Sequence, residues 1–274
     1  MAPEQMTGLG TAAPRLEITS LNKTFERRGE EIEVLQEINL TVAAGEFVAI
    51  VGASGCGKTT LARIVDGLEH STSGTIRIDG EPPNGAGRDQ NRGFVFQKDN
   101  LLPWRTVLDN VGLGLELQRR PSRERRATAQ KYLDLVGLGS FSKHYPHEIS
   151  GGMKQRANLA RAFSIEPEIL LMDEPFAALD AQTREIMQTE LLRVWNESNG
   201  GSVLFITHQI DEALFLANRV VVLTARPGRI KEIIEVPFER PRTLEIKRSP
   251  EFGALYDRIW KMIEEEVRDS MEVG

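Results

Sequence analysis

The sequence predicts an α/β fold: a parallel sheet sheathed in helices, with a smaller antiparallel sheet and an inserted helical lobe. Two observations carry that expectation. The runs Phe47 to Val51, Ile169 to Met172 and Val203 to Thr207 are continuously apolar, as strands buried on both faces must be. Between and after them, Thr60 to Gly67, Lys154 to Phe163, Asp180 to Glu197 and Asp211 to Ala217 read as helices. The chain has 274 residues, enough for one large α/β domain with a smaller lobe.

In chain order, Met1 to Pro14 is small and polar and reads as a loose tail, without the basic start and apolar core of an export signal. Leu16-Glu17-Ile18 and Val34 to Val42 alternate in part, which suits a partly exposed antiparallel sheet. The apolar run Phe47 to Val51 then leads into Gly52-Ala53-Ser54-Gly55-Cys56-Gly57-Lys58-Thr59 and a helix-like segment from Thr60. A glycine-rich loop between strand and helix is a phosphate-binding loop in its required setting. Its glycines allow tight turns, its N–H groups converge on phosphate oxygens, and the helix N-terminus adds partial positive charge. Lys58 supplies a point charge to the outer phosphates and the Thr59 hydroxyl a ligand for Mg²⁺. The core is therefore expected to be that of a P-loop NTPase.

From Leu101 to about Glu148 the strand signals vanish and helical patterns such as Ala129 to Val136 take over, interrupted by Arg119-Arg120-Pro121-Ser122-Arg123. These arginines read as a solvated helix face. Ser150-Gly151-Gly152 opens the next helical pattern, where a hydroxyl and bare N–H groups serve either as an ordinary cap or as a second anion site. Ile169 to Met172 ends in Asp173-Glu174, carboxylates placed at the carboxyl end of a buried strand, where open α/β sheets bind ligands. Asp173 suits Mg²⁺, and Glu174 suits a general base on the water attacking the γ-phosphate. Asp180 caps a helix whose stripe is Ile186, Met187, Leu191, Val194 and Trp195. Ile230 to Val236 is a late strand, Pro237 to Pro250 a proline-interrupted connection, and Leu255, Ile259, Trp260, Ile263 and Val267 mark a last amphipathic helix.

Composition narrows the function classes. A net charge of −6 disfavours a generic nucleic-acid surface. Cys56 is the single cysteine, so intrachain disulfides and cysteine metal cages are excluded, and it reads as a loop filler rather than a nucleophile. No apolar stretch approaches the about 20 residues a membrane-spanning helix needs.

With these motifs in place, the chain from Leu16 to about Val236 resembles the nucleotide-binding subunit of an ABC transporter. The resemblance implies an ATPase domain over residues 15–236 with its helical lobe at about 98–149, followed by a linker and helix over 237–274. In that family the phosphate loop, Thr60 included, and Asp173-Glu174 of one subunit are completed by the Ser150-Gly151-Gly152 signature of a second subunit, so that ATP closes between two chains. By the same resemblance Gln97, after Phe94-Val95-Phe96, touches Mg²⁺ and the lobe; Ala178-Leu179-Asp180 is the interfacial loop; and His208 is the γ-phosphate switch histidine. Phe25 stands either as the aromatic stacking on adenine or as a core phenylalanine. Ile149 stands where leucine is usual and Ala177 where serine or glycine is frequent; neither change removes a reactive group.

Leu101-Leu102-Pro103-Trp104, Pro175 to Ala181 and Arg226-Pro227-Gly228-Arg229-Ile230 are similar to importers of nitrate, taurine and aliphatic sulfonates. Implied partners are transmembrane permease subunits and, through them, a periplasmic or extracellular solute-binding protein, with the chain peripheral on the cytoplasmic face of the cell membrane and no nucleic acid bound. Trp104 falls either at the permease contact or inside the lobe. A soluble ABC-type ATPase of DNA repair or chromosome structure carries the same motifs, but no sustained heptads separate Lys58 from Ser150.

Overall fold

A computed structural model describes residues 14–27, 29–83, 92–97, 100–197 and 201–272. The chain begins with β1 (Leu16–Arg27), β2 (Glu30–Val42) and β3 (Phe47–Gly52), then α1 (Lys58–Asp66), β4 (Ser73–Ile78) and β5 (Arg92–Val95). A run of helices follows: α2 (Val107–Val111), α3 (Leu113–Leu117), α4 (Ser122–Leu135) and α5 (Gly151–Ser164). The rest alternates as β6 (Ile169–Asp173), α6 (Ala181–Glu197), β7 (Ser202–Ile206), α7 (Ile210–Leu216), β8 (Arg219–Leu223), β9 (Ile230–Glu235) and α8 (Pro250–Glu272). Of the expected tail over 1–14, all but Pro14 lies outside the described residues.

Two sheets result, β2-β1-β4 and β5-β6-β7-β3-β8-β9. The first is antiparallel. The second is parallel from β5 to β8 and closes with an antiparallel β8–β9 pair. Every residue of β3, β6 and β7 is buried, which is why their sequences are apolar throughout. In β2, by contrast, Ile38, Leu40 and Val42 are buried while Asn39 and Thr41 are exposed, the period of two expected of a strand with one wet face.

The pleat of β3 divides the core. Phe47, Ala49 and Val51 point into a cluster built with the helices α4 to α7, whereas Val48 and Ile50 point into a second cluster with α1 and the antiparallel sheet. Each face of the central sheet is thus covered, and its carboxyl edge is left for ligands. Within the helical segment, Val107, Val111, Ala129, Tyr132 and Leu133 pack with α5. Fully buried Asn110 is satisfied by Leu102 N–H at 2.7 Å and by the carbonyls of Leu102, Arg105 and Thr106 at 3.0–3.1 Å.

Several expectations need correction. Ile186 is 61% exposed and Trp260 52% exposed, so neither belongs to the buried stripe of its helix. Both lie about 100° of helical rotation from a buried neighbour, Met187 and Ile259, and that one-residue offset carries them into solvent. Trp260 instead stacks on Tyr256, with ring centroids 6.4 Å apart. Within the proline-interrupted connection a 3₁₀ turn forms over Leu244–Arg248. Strand β4 was not anticipated; it pairs with β1 through Leu16–Ile78 and Ile18–Ile76.

Candidate nucleotide site

β3 ends at Gly52 and α1 starts at Lys58, so the intervening loop turns within five residues. Gly57 caps the helix at φ 98°, and a Cβ there would lie 2.7 Å from Leu35 Cδ2; both facts require glycine. Lys58 is 6% exposed, and its ammonium donates to the carbonyls of Gly52 and Ala53, each at 2.9 Å. Cys56 is buried beneath the loop with its thiol pKa pushed up by burial, against the pull of Lys58, which agrees with a packing role.

The carboxylates come from the end of β6. Asp173 Oδ1 accepts the Thr59 hydroxyl at 2.9 Å. Burial raises the Asp173 pKa; the Thr59 hydrogen bond opposes that shift and the neighbouring Glu174 charge reinforces it. Glu174 adopts φ 46°, a left-handed conformation held by its N–H donating to Ile206 O at 2.8 Å. Its Oε2 receives Gln97 Nε2 at 3.4 Å and lies 3.2 Å from His208 Nδ1. Topology explains the convergence. β5, β6 and β7 are parallel neighbours, so Gln97, Glu174 and His208, each one or two residues past its strand, arrive side by side.

These groups face a cavity of about 790 Å³ whose wall includes Phe25, Ser54, Lys58, Thr59, Thr60, Gln97, Glu174 and His208. Gly55 and Gly57 line it through the loop, while Gly52, Ala53 and Cys56 support the loop from behind. Phe25 carries the Lys23 ammonium 4.3 Å from its ring centroid. The donors fit a hard cation. A hydroxyl and a carboxylate sharing a hydrogen bond, beside space for phosphates, form the kind of partial shell Mg²⁺ accepts. Among the described residues no cluster of three or more His, Cys, Asp or Glu could hold a metal by itself.

Ser150, Gly151, Gly152 and Asp180 stand apart from this wall. Ser150 Oγ accepts Met153 N–H at 3.3 Å as the cap of α5, and Asp180 Oδ1 accepts Thr183 N–H at 3.0 Å at the start of α6. Sequence reasoning missed Arg27, Ile32, Val34 and Arg226 as cavity residues. Arg226 belongs to a stretch similar to importers, but nothing in its local pattern says that the β8–β9 connection folds back over the phosphate loop.

A family model described as ABC transporter matches residues 35–177. The chain belongs to the ABC transporter family. An uncharacterized ABC transporter ATP-binding protein of Methanocaldococcus jannaschii is 49% identical over 94% of either chain. A nitrate import ATP-binding protein of Synechocystis is 48% identical, covering 90% of this chain and 94% of its own. A taurine import ATP-binding protein of Pseudomonas aeruginosa is 44% identical, covering 88% and 92%. Among solved structures, a dimeric post-hydrolysis state of an ATP-binding cassette bound to ADP and Pi superimposes with a TM-score of 0.72 at 34% identity, over 82% of this chain and all of that one. As a member of this family the chain binds ATP and hydrolyses it in a reaction coupled to transport. No helix among the described residues is long and apolar enough to cross a membrane.

Proposed function

We propose that this chain powers a bacterial-type ABC importer for a small anionic solute such as nitrate, a sulfonate or taurine, working as a pair of ATP-binding subunits on the cytoplasmic face of permease subunits. The observation that carries the reading is the meeting of Gln97 and His208 on Glu174 beside the loop that holds Lys58. The relatives named for nitrate and taurine import support the solute class, which an external solute-binding protein and the permease would select.

Each role follows from chemistry. Loop N–H groups from Gly52 to Thr60 cradle the phosphates, and Lys58 turns from the loop carbonyls toward them. Phe25 stacks on adenine. Glu174 takes the proton of the attacking water, and His208 and Gln97 aim its carboxylate. Thr59 and Asp173, with Gln97 at the edge, would hold Mg²⁺, which when bound neutralises charge building on the phosphate oxygens. Ser150, Gly151 and Gly152, lying outside their own cavity at the N-terminus of α5, supply hydroxyl and N–H donors to the nucleotide of the second subunit, and Asp180 sits at the junction. ATP is then a ligand of the closed pair, and hydrolysis reopens it.

Glu174→Gln is expected to lower turnover at least a hundredfold while retaining ATP binding and yielding an ATP-dependent dimer in sedimentation velocity. Wild-type turnover by that variant would end the base assignment. Uptake of labelled nitrate or taurine by vesicles carrying the co-purified permease tests the solute class, and a soluble DNA-bound partner in place of a permease would overturn the transport reading.

A further inference from the structure

The connection from Thr224 to Arg229, between β8 and β9, brings Arg226 into the wall of the nucleotide cavity. Its backbone is fixed from several directions. Inside the loop, Thr224 Oγ1 donates to Pro227 O at 2.9 Å and accepts Arg229 N–H at 2.9 Å. Toward β2, Gly228 N–H donates to Val34 O at 2.9 Å and Gln36 N–H to Gly228 O at 3.0 Å. The Arg229 guanidinium also donates to Gln36 Oε1. Toward the phosphate loop, Gly228 approaches so closely that a Cβ would run into Cys56 O.

The last restraint comes from the C-terminal helix. Glu266 on α8 accepts Ala225 N–H through Oε2 at 3.0 Å and the Lys231 ammonium through Oε1 at 2.8 Å. One carboxylate thus ties the backbone immediately before Arg226 to the Lys231 side chain on β9. A restrained backbone costs little further entropy when its side chain binds something.

The Arg226 side chain itself is exposed and barely engaged. Among the described residues its hydrogen bond is a 3.5 Å contact from Nη2 to Gly55 O, and it has no carboxylate partner. Arg219, at the start of β8, is instead paired with Glu46. Lys58, the established cation of such loops, already donates to two loop carbonyls. Arg226 therefore holds unused donors at the loop rim, in a planar fork matched to phosphate oxygens.

We propose that Arg226 is a nucleotide-binding residue that donates to the phosphate chain of ATP seated on the Gly52–Thr59 loop, and that Glu266 is a positioning residue that fixes it from the C-terminal helix. This rests on the reading of the cavity as the ATP site. The C-terminal segment then tunes nucleotide affinity through a single carboxylate.

Calorimetric titration of the full chain with Mg·ATP, Mg·ADP and adenosine tests it. Arg226→Ala is expected to weaken ATP binding about tenfold and leave adenosine unchanged, with Arg226→Lys in between. Glu266→Ala is expected to weaken ATP about threefold, and the double variant to bind no worse than Arg226→Ala, since the two act through one contact. Wild-type ATP affinity in Arg226→Ala, or an equal loss for adenosine, overturns the phosphate contact; additive losses overturn the positioning role of Glu266. Lys58→Ala separates the two readings. If it loses ATP while Arg226→Ala does not, this inference alone falls; if Lys58→Ala binds ATP normally, the assignment of the cavity falls first.

Discussion

Glu212 is 2% exposed in the first turn of α7, and its Oε1 accepts Gln188 Nε2 at 3.2 Å. Burial pushes its pKa from the ordinary 4.5 up to about 6, against hydrogen bonds that favour the charge. The folded state therefore holds this proton more tightly than the unfolded chain. Stability from the group is complete below pH 4.5 and is lost as pH rises through about 6. Glu212→Gln is accordingly expected to be more stable than wild type above pH 6 by up to about 2 kcal/mol, the gap closing near pH 4.5, as read by urea denaturation across that range. Nothing in the string Asp211-Glu212 distinguishes the carboxylate that faces the core from the one at the surface. Lys58, Thr59, Asp173 and Glu174, by contrast, were legible because their spacing against apolar strands already dictates where they emerge. Arg226 was not, because its place depends on contacts with Val34, Gln36 and Glu266 that are remote in sequence.

Single elements owe their stability to a few polar groups. Ser150 caps α5 through Met153 N–H, so Ser150→Ala is expected to cost about 1 kcal/mol in unfolding free energy, besides any effect on turnover. Asn110 matters more. Its amide bonds the backbone of residues 102, 105 and 106 from a site with no solvent access, so Asn110→Ala removes the partner of Leu102 N–H and Arg105 O, while Leu102 O and Thr106 O keep the Arg105 and Asn110 N–H groups. A loss of about 2–4 kcal/mol is expected, with faster hydrogen exchange at the Leu102 amide as its local signature. Apolar runs foretold β3, β6 and β7 almost to the residue, since burial on both faces leaves no freedom in composition. β4 escaped notice: Ser73 to Ile78 is short, glycine-containing and mostly exposed, and its partner β1 defines it. Helix faces were misjudged by one position at Ile186 and Trp260, because an amphipathic stripe fixes the buried direction only to within about a turn's neighbour.

Across the whole molecule, the strand order places every chemically active residue of the cavity at one edge, while the α5 cap lies outside it. Trp104 is 71% exposed on the segment that Asn110 braces, so the alternative of burial inside the lobe is excluded. Under the importer reading proposed above, Trp104→Ala is expected to reduce recovery of permease subunits in detergent about tenfold with the melting temperature unchanged, since the exposed indole packs little within its own chain. The sequence motifs conveyed the chemistry of one edge; what they could not convey was how far the C-terminal helix reaches back, because Glu266 sits in an ordinary charged run. The curled side chain of Lys58 has a thermodynamic corollary. Its ammonium is already solvated by two peptide oxygens, so an arriving anion exchanges one set of acceptors for another and the net heat released is modest.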